Sequence, residues 1–218
     1  MKVFYLDTST SYLHTGIVDN GHLVGEVKEK LEKNLSTLTL PKIEEMFQKC
    51  HLEPSQIDKI VVVNGPGSFT GVRIGVTIAK IYAWSLQIPI TTISSLMAMA
   101  CQKLTEDYRI PVIDARHNCV YSAIYNKEGK EVLKEQYLKK ETLLTAMETL
   151  PGTKRIITND EVDLGSSKSI YDPDIELIVN RFQDKENQNP HAVEPNYLKL
   201  TEAEESNHRD DTSSIERE

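Results

Sequence analysis

Four of the chain's ten glycines fall in Gly65-Pro66-Gly67-Ser68-Phe69-Thr70-Gly71-Val72-Arg73-Ile74-Gly75, together with two hydroxyls and an arginine. The segment lies between an apolar run, Ile60-Val61-Val62-Val63, and a helical pattern. At such a junction, main-chain N–H groups at a helix N-terminus can hold an anion. The named phosphate loops do not fit. A Walker A loop needs a lysine that is missing, and a Rossmann loop needs G-x-G-x-x-G where this one runs G-x-G-x-x-x-G. A nucleophile elbow needs G-x-S-x-G, so Ser68 has no claim to be a hydrolase nucleophile. The plainer role for Ser68 or Thr70 is to cap the helix that follows.

Asp7 and Asp114 each end a predicted strand. Two such carboxylates could flank a magnesium ion, or each could accept backbone hydrogen bonds in the turn after its strand. If the first, Asp7, Gly67, Ser68, Thr70, Asp114 and Arg116 form a vestigial nucleotide or anion site. Asn159-Asp160-Glu161 follows the second-half strand where the glycine loop follows the first. Acids there would repel a polyphosphate.

Other chemistry is sparse. The closest two of six histidines, His14 and His22, are eight residues apart, and all six read as solvated or loop residues. Cys50, Cys101 and Cys119 form no C-x-x-C, which excludes a zinc knuckle or redox pair and reads as free thiols in a reducing cytoplasm. No metal and no cofactor is expected. No stretch is apolar enough to cross a bilayer, and the N-terminus reaches Asp7 too soon for a secretory signal. The net charge is −8, of which residues 201–218, with seven acids and two arginines, carry −5. Neither that stretch nor the rest offers a basic field for a polyanion.

The elements that position these groups repeat. Residues 2–7, 13–19 and 23–28 read as strands, the last two flanking Asp19-Asn20-Gly21, a hairpin signal. A helix at about 35–50 follows, starting or kinking at Pro41. Then come a strand at 60–63, a helix at 70–86, a strand at 88–93 and a helix at 94–105. The pattern restarts with strands at 110–114, 119–126 and 131–138, a helix at 140–149 and a strand at 154–158. Residues 159–190 read as polar and turn-rich, so the second copy loses its long helix. The expected units are 1–106, a reduced second lobe at 107–200, and an acidic, disordered tail at 201–218.

Strand-strand-strand-helix-strand-helix, twice, suggests an α/β, two-lobed actin-like fold of the actin, hexokinase and Hsp70 type. The glycine segment, with Leu6-Asp7-Thr8-Ser9-Thr10, Ile113-Asp114-Ala115-Arg116 and Glu194-Pro195-Asn196-Tyr197-Leu198 in order, resembles the TsaB family, formerly YeaZ. That resemblance covers residues 2 to about 199. It implies a non-catalytic subunit of the bacterial complex that places threonylcarbamoyl on the adenosine next to the anticodon in tRNA. Its partners would be a catalytic actin-like paralogue, TsaD, and a small ATPase, TsaE. A homodimer would form when the chain is alone, and tRNA would be met only through the complex. Where the family often has a histidine before the first helix, this chain has Asn34-Leu35-Ser36-Thr37. The paralogue's His-x-x-x-His metal pair has no counterpart here.

Family members associate through their first two helices. The expected partner surface is therefore Leu38, Met46 and Phe47 with Gly71, Arg73, Thr77, Ile81 and Trp84. Gly71, Gly75, Ala79 and Ala83 make one helix face smooth, either for a partner's backbone or for the chain's own sheet. An actin-like phosphotransferase or ATPase, or a metallopeptidase-like protein, is the alternative. The first would bind Mg-ATP tightly; the second would need a metal cluster.

Overall fold

The computed structural model describes residues 1–165 and 168–199; the acidic stretch 201–218 lies outside the described residues. Asn20 and Gly21, both at positive φ (48° and 87°), turn β2 (Tyr12–Asp19) into β3 (His22–Lys30). These strands add to β1 (Lys2–Asp7), which also pairs in parallel with β4 (Lys59–Val63), and β4 pairs with β5 (Ile90–Ile93). The sheet order is β3-β2-β1-β4-β5. The second sheet contains β6 (Tyr108–Asp114), β7 (Cys119–Asn126), β8 (Glu131–Lys139), β9 (Lys154–Ile157) and β10 (Lys168–Ser169), in the order β10-β9-β6-β7-β8. Read from the other edge, this is the first order again. The duplication is that of the two-lobed actin-like α/β fold.

β1 and β4 are buried on both faces, as their unbroken apolar runs require. Phe4, Leu6, Ile60 and Val62 meet α1 (Leu35–Lys49) and α2 (Phe69–Leu86) on one side. Val3, Tyr5, Val61 and Val63 face the other side. α1 begins at Leu35, ahead of Pro41, which is exposed. The carbonyl that Pro41 cannot serve is that of exposed Thr37, so water can take the missing bond.

In the second copy α4 (Lys140–Glu148) takes the place of α1, and no helix joins β9 to β10 among the described residues. The helix expected at 94–105 is only α3 (Ser95–Ala100). Residues 159–190, expected to be turns, contain β10 and α5 (Ile175–Phe182). The side chain of Asp174 caps α5 by accepting from Leu177 N at 2.9 Å.

The last helix of each copy packs on the other copy's sheet. Leu96, Met99 and Ala100 of α3 meet Ile113, Ala123, Tyr125 and Ile157 of the second sheet. Ile175, Ile178 and Val179 of α5 meet Val3, Tyr5 and Val18 of the first. Beyond α5 the chain stays with the first sheet. Gln188 N donates to Ile90 O (2.8 Å), and buried Lys59 Nζ donates to Gln183 O (2.5 Å) and Lys185 O (3.0 Å). Burial pushes the Lys59 ammonium below its usual pKa, only partly opposed by Asp184.

Candidate functional site: the turn after β1 and an exposed helix face

Asp7 is 1% exposed. Its Oδ1 accepts Ser9 N (2.8 Å) and Ser9 Oγ (2.7 Å), and its Oδ2 accepts the Tyr171 hydroxyl at 3.2 Å. His14 Nδ1 lies 3.9 Å from Oδ2, an ion-pair distance and not a hydrogen bond. Burial raises the Asp7 carboxyl pKa, but His14 and Ser9 outweigh burial and hold it below the usual value. His14 is thus a core residue, stacked on Tyr12 and edge-on to Tyr171, where a solvated or loop histidine was expected. Asp114 repeats the turn of Asp7, accepting Arg116 N at 3.3 Å, but is exposed. Its own N–H donates to Asp160 Oδ2 at 2.8 Å. Burial raises the Asp160 carboxyl pKa, and the Asp114 charge adds to that. Among the described residues no group of three or more His, Cys, Asp or Glu side chains is placed to hold a metal ion.

The glycine loop rests on the turn after β1. Ser68 N donates to Ser9 O (2.7 Å), Thr8 Oγ1 to Gly71 O (2.7 Å), and Ser68 Oγ caps α2 by accepting Gly71 N (3.3 Å). A β-carbon at Gly67 would stand 2.2 Å from Ser9 O, and one at Gly71 2.2 Å from Thr8 O. At Gly75 it would stand 2.4 Å from Thr8 Oγ1. The smooth face of α2 therefore closes on the chain's own β1 turn, and Ala79 and Ala83 continue it into the core. Of the six residues of the expected anion site, Asp7 is joined to the glycine loop through Ser9, and Asp114 is exposed at the end of β6. Gly67 and Ser68 pack on Ser9, Thr70 lines a groove beside α1, and Arg116 is exposed in the turn after β6.

The opposite face of α2 carries Phe69, Arg73, Thr77, Ile81 and Trp84, all exposed; Phe69, Ile81 and Trp84 are each more than half accessible. Leu40 of α1, equally exposed, stands across a groove lined also by Phe69, Arg73 and Thr77. A second groove, between α2 and Pro190 and His191, holds Ile81 and Trp84. Residues 190–197 form a strap along α2. Lys80 Nζ donates to His191 O (3.2 Å) and Val193 O (2.8 Å), and Val193 is buried in the first core. Asn196 N donates to Asn64 O (2.6 Å), and Asn64 Nδ2 to Glu194 O (3.1 Å).

Of the expected partner surface, Arg73, Thr77, Ile81 and Trp84 share this face, and Leu38 is half-buried against the first core. Met46 and Phe47 are corrected: both are buried, with Phe47 packed on Phe4 at 5.7 Å between ring centroids. They belong to the α1 stripe Leu35, Thr39, Ile43 that faces the sheet. Gly71 is corrected in the same way, since Thr8 covers it. Leu40, Phe69 and Tyr197 went unrecognised. Phe69 stands four residues before Arg73, so helical spacing alone could have placed it on this stripe.

The family model described as "TsaD: tRNA N6-adenosine threonylcarbamoyltransferase" matches residues 22–205. The tRNA threonylcarbamoyladenosine biosynthesis protein TsaB of Bacillus subtilis (strain 168) is 33% identical, over 94% of this chain and 96% of that one. Its namesake in Escherichia coli (strain K12) is 30% identical, over 70% and 68%. YeaZ from Pseudomonas aeruginosa superposes with a TM-score of 0.74 over 90% of this chain and 99% of its own, at 21% identity, a likeness of fold.

Proposed function

The chain belongs to the TsaB family, also called YeaZ, and from that membership we propose that it is a non-catalytic subunit in threonylcarbamoylation of tRNA. It acts by docking its α1–α2 face on the catalytic actin-like paralogue TsaD, with the ATPase TsaE joining the pair. The observation that carries this reading is the exposed stripe Phe69, Arg73, Thr77, Ile81 and Trp84, with Leu40 across the groove. Five large apolar side chains about half or more accessible, counting Tyr197 of the strap, form a patch of the kind that marks an interaction site. Two helices of one subunit can seat on two of another as a four-helix contact. The state of Asp7 supports the non-catalytic part: its oxygens are committed to Ser9 and Tyr171, and Ser68 N is committed to Ser9 O.

Reconstitution tests it. Modification of tRNA is assayed with TsaD, TsaE and this chain, and with the chain omitted or carrying Thr77→Glu. Omission should abolish modification and Thr77→Glu should reduce it, because a charge would be buried without a partner. Full activity without the chain, or ATP hydrolysis by the chain alone, would sink the proposal.

A further inference from the structure

The Arg73 side chain is held before any partner arrives. Its guanidinium carbon lies 3.7 Å from the centroid of Phe69, and its Nε donates to the Tyr197 hydroxyl at 2.8 Å. Tyr197 in turn stacks on Phe69, with centroids 5.6 Å apart and planes 28° apart. Tyr197 belongs to the strap, so a segment more than a hundred residues away in sequence fixes the rotamer of a residue on α2. No carboxylate lies within ion-pair distance of Arg73 among the described residues, and none lines either groove beside α2. In a chain of net charge −8 the two grooves carry Arg73, Lys80 and His191 and no acid; the strap's Glu194 is exposed but lines neither. Lys80 is spent on strap carbonyls. Arg73 alone of the three has a planar fork of donors free to turn outward.

We infer that Arg73, preorganised by Phe69 and by Tyr197 of the strap, is the anchor of the docking face, and that it receives a carboxylate from a partner other than a second copy of this chain. The inference rests on the docking role proposed above and names the chemistry of what docks. A two-fold pair would set the same two acid-free grooves against each other, since an isologous contact uses one patch twice. Arg73 would then find no carboxylate in the facing groove. A partner of different sequence, apolar at the centre with an acid opposite Arg73, satisfies both the grooves and the guanidinium. A planar fork already in place loses less rotamer freedom on binding, and a bidentate carboxylate pair is the geometry it fits.

The test is titration calorimetry of the full-length chain against purified TsaD from the same organism, at two salt concentrations. Variants are Arg73→Ala, Tyr197→Phe, their combination, and Thr77→Glu as a control for the face. Both substituted residues are exposed or partly so, and thermal melts check that each variant stays folded. Arg73→Ala should weaken binding about tenfold or more, and the loss should shrink as salt rises. Tyr197→Phe, which removes only the hydroxyl, should weaken it by a smaller factor. The double variant should be no worse than Arg73→Ala, because the strap acts through the arginine. Sedimentation should find self-association weaker than binding to TsaD. If Thr77→Glu abolishes binding but Arg73→Ala stays within about twofold of wild type, the anchor is refuted and the docking face stands. If neither substitution affects binding, the docking role falls and the anchor with it. Self-association tighter than the mixed complex would refute the choice of partner.

Discussion

Tyr171, two residues past the end of β10, donates its hydroxyl to Oδ2 of Asp7, the last residue of β1, across 3.2 Å. The two residues come from different halves of the chain, and both are almost fully buried. Tyr171 also reaches Tyr5, whose hydroxyl lies 3.4 Å away. Replacing Tyr171 by Phe leaves a buried carboxylate short of a donor. Denaturant unfolding should show a loss of about 1–3 kcal/mol. No change in midpoint would mean that water takes the vacated bond.

Stability should also fall on the acid side for a stated reason. The folded pKa of Asp7 lies below its unfolded value, so its contribution is present above about pH 3.9 and is lost as pH falls through the folded value. Unfolding free energies measured from pH 7 down to 2 should therefore drop more steeply below about pH 4 for the wild type than for Asp7→Asn. Parallel curves would remove Asp7 from the acid limb.

The glycines of α2 separate an inward face from an outward one. A solvent-exposed helical glycine changed to alanine gains about 1 kcal/mol. Gly71→Ala would instead drive a β-carbon to within 2.2 Å of the Thr8 carbonyl, a backbone atom with little freedom to retreat. The expected result is a loss of roughly 1–3 kcal/mol by thermal or denaturant unfolding. A stabilised variant would place this face outward after all.

Phe47 and Thr77 should behave oppositely. Phe47→Ala empties a core position against Phe4 and should cost about 3–5 kcal/mol. Thr77→Glu, on the open face, should change stability by no more than about 0.5 kcal/mol while weakening capture by immobilised TsaD. Should Thr77→Glu unfold the chain, Thr77 would be a core residue and the face would need redrawing.

Periodicity was enough for the strands of both sheets except β10, and for α1, α2 and α4. Their alternation or helical spacing is enforced by burial on a sheet, and burial writes itself into residue type. α5 was missed because its signal is short: an Asp174 cap and the apolar Ile175, Ile178, Val179 and Phe182 inside a polar stretch. What α5 covers, the second face of the first sheet, is specified by residues more than 150 positions earlier. The same limit explains the site. The resemblance assigned Arg73, Thr77, Ile81 and Trp84 to a partner surface, but neither it nor helical spacing could say which side of α1 meets Phe4, so Met46 and Phe47 were expected outside. Tyr197 meets Arg73 only because the strap returns, and no local pattern encodes a return. His14 looks like an ordinary strand residue until Asp7 and Tyr171 are beside it.

The exchange of α3 and α5 between the two sheets bears on how the chain is cut and made. A gene split in the linker between Cys101 and Asp107 would leave the amino-terminal fragment without the cover that α5 gives Val3, Tyr5 and Val18. The carboxy-terminal fragment would lack Leu96 and Met99. Each piece would carry a raw apolar floor and clump, yet the two expressed together could rebuild the whole. On the ribosome, the amino-terminal sheet must wait with that floor bare until α5 has emerged.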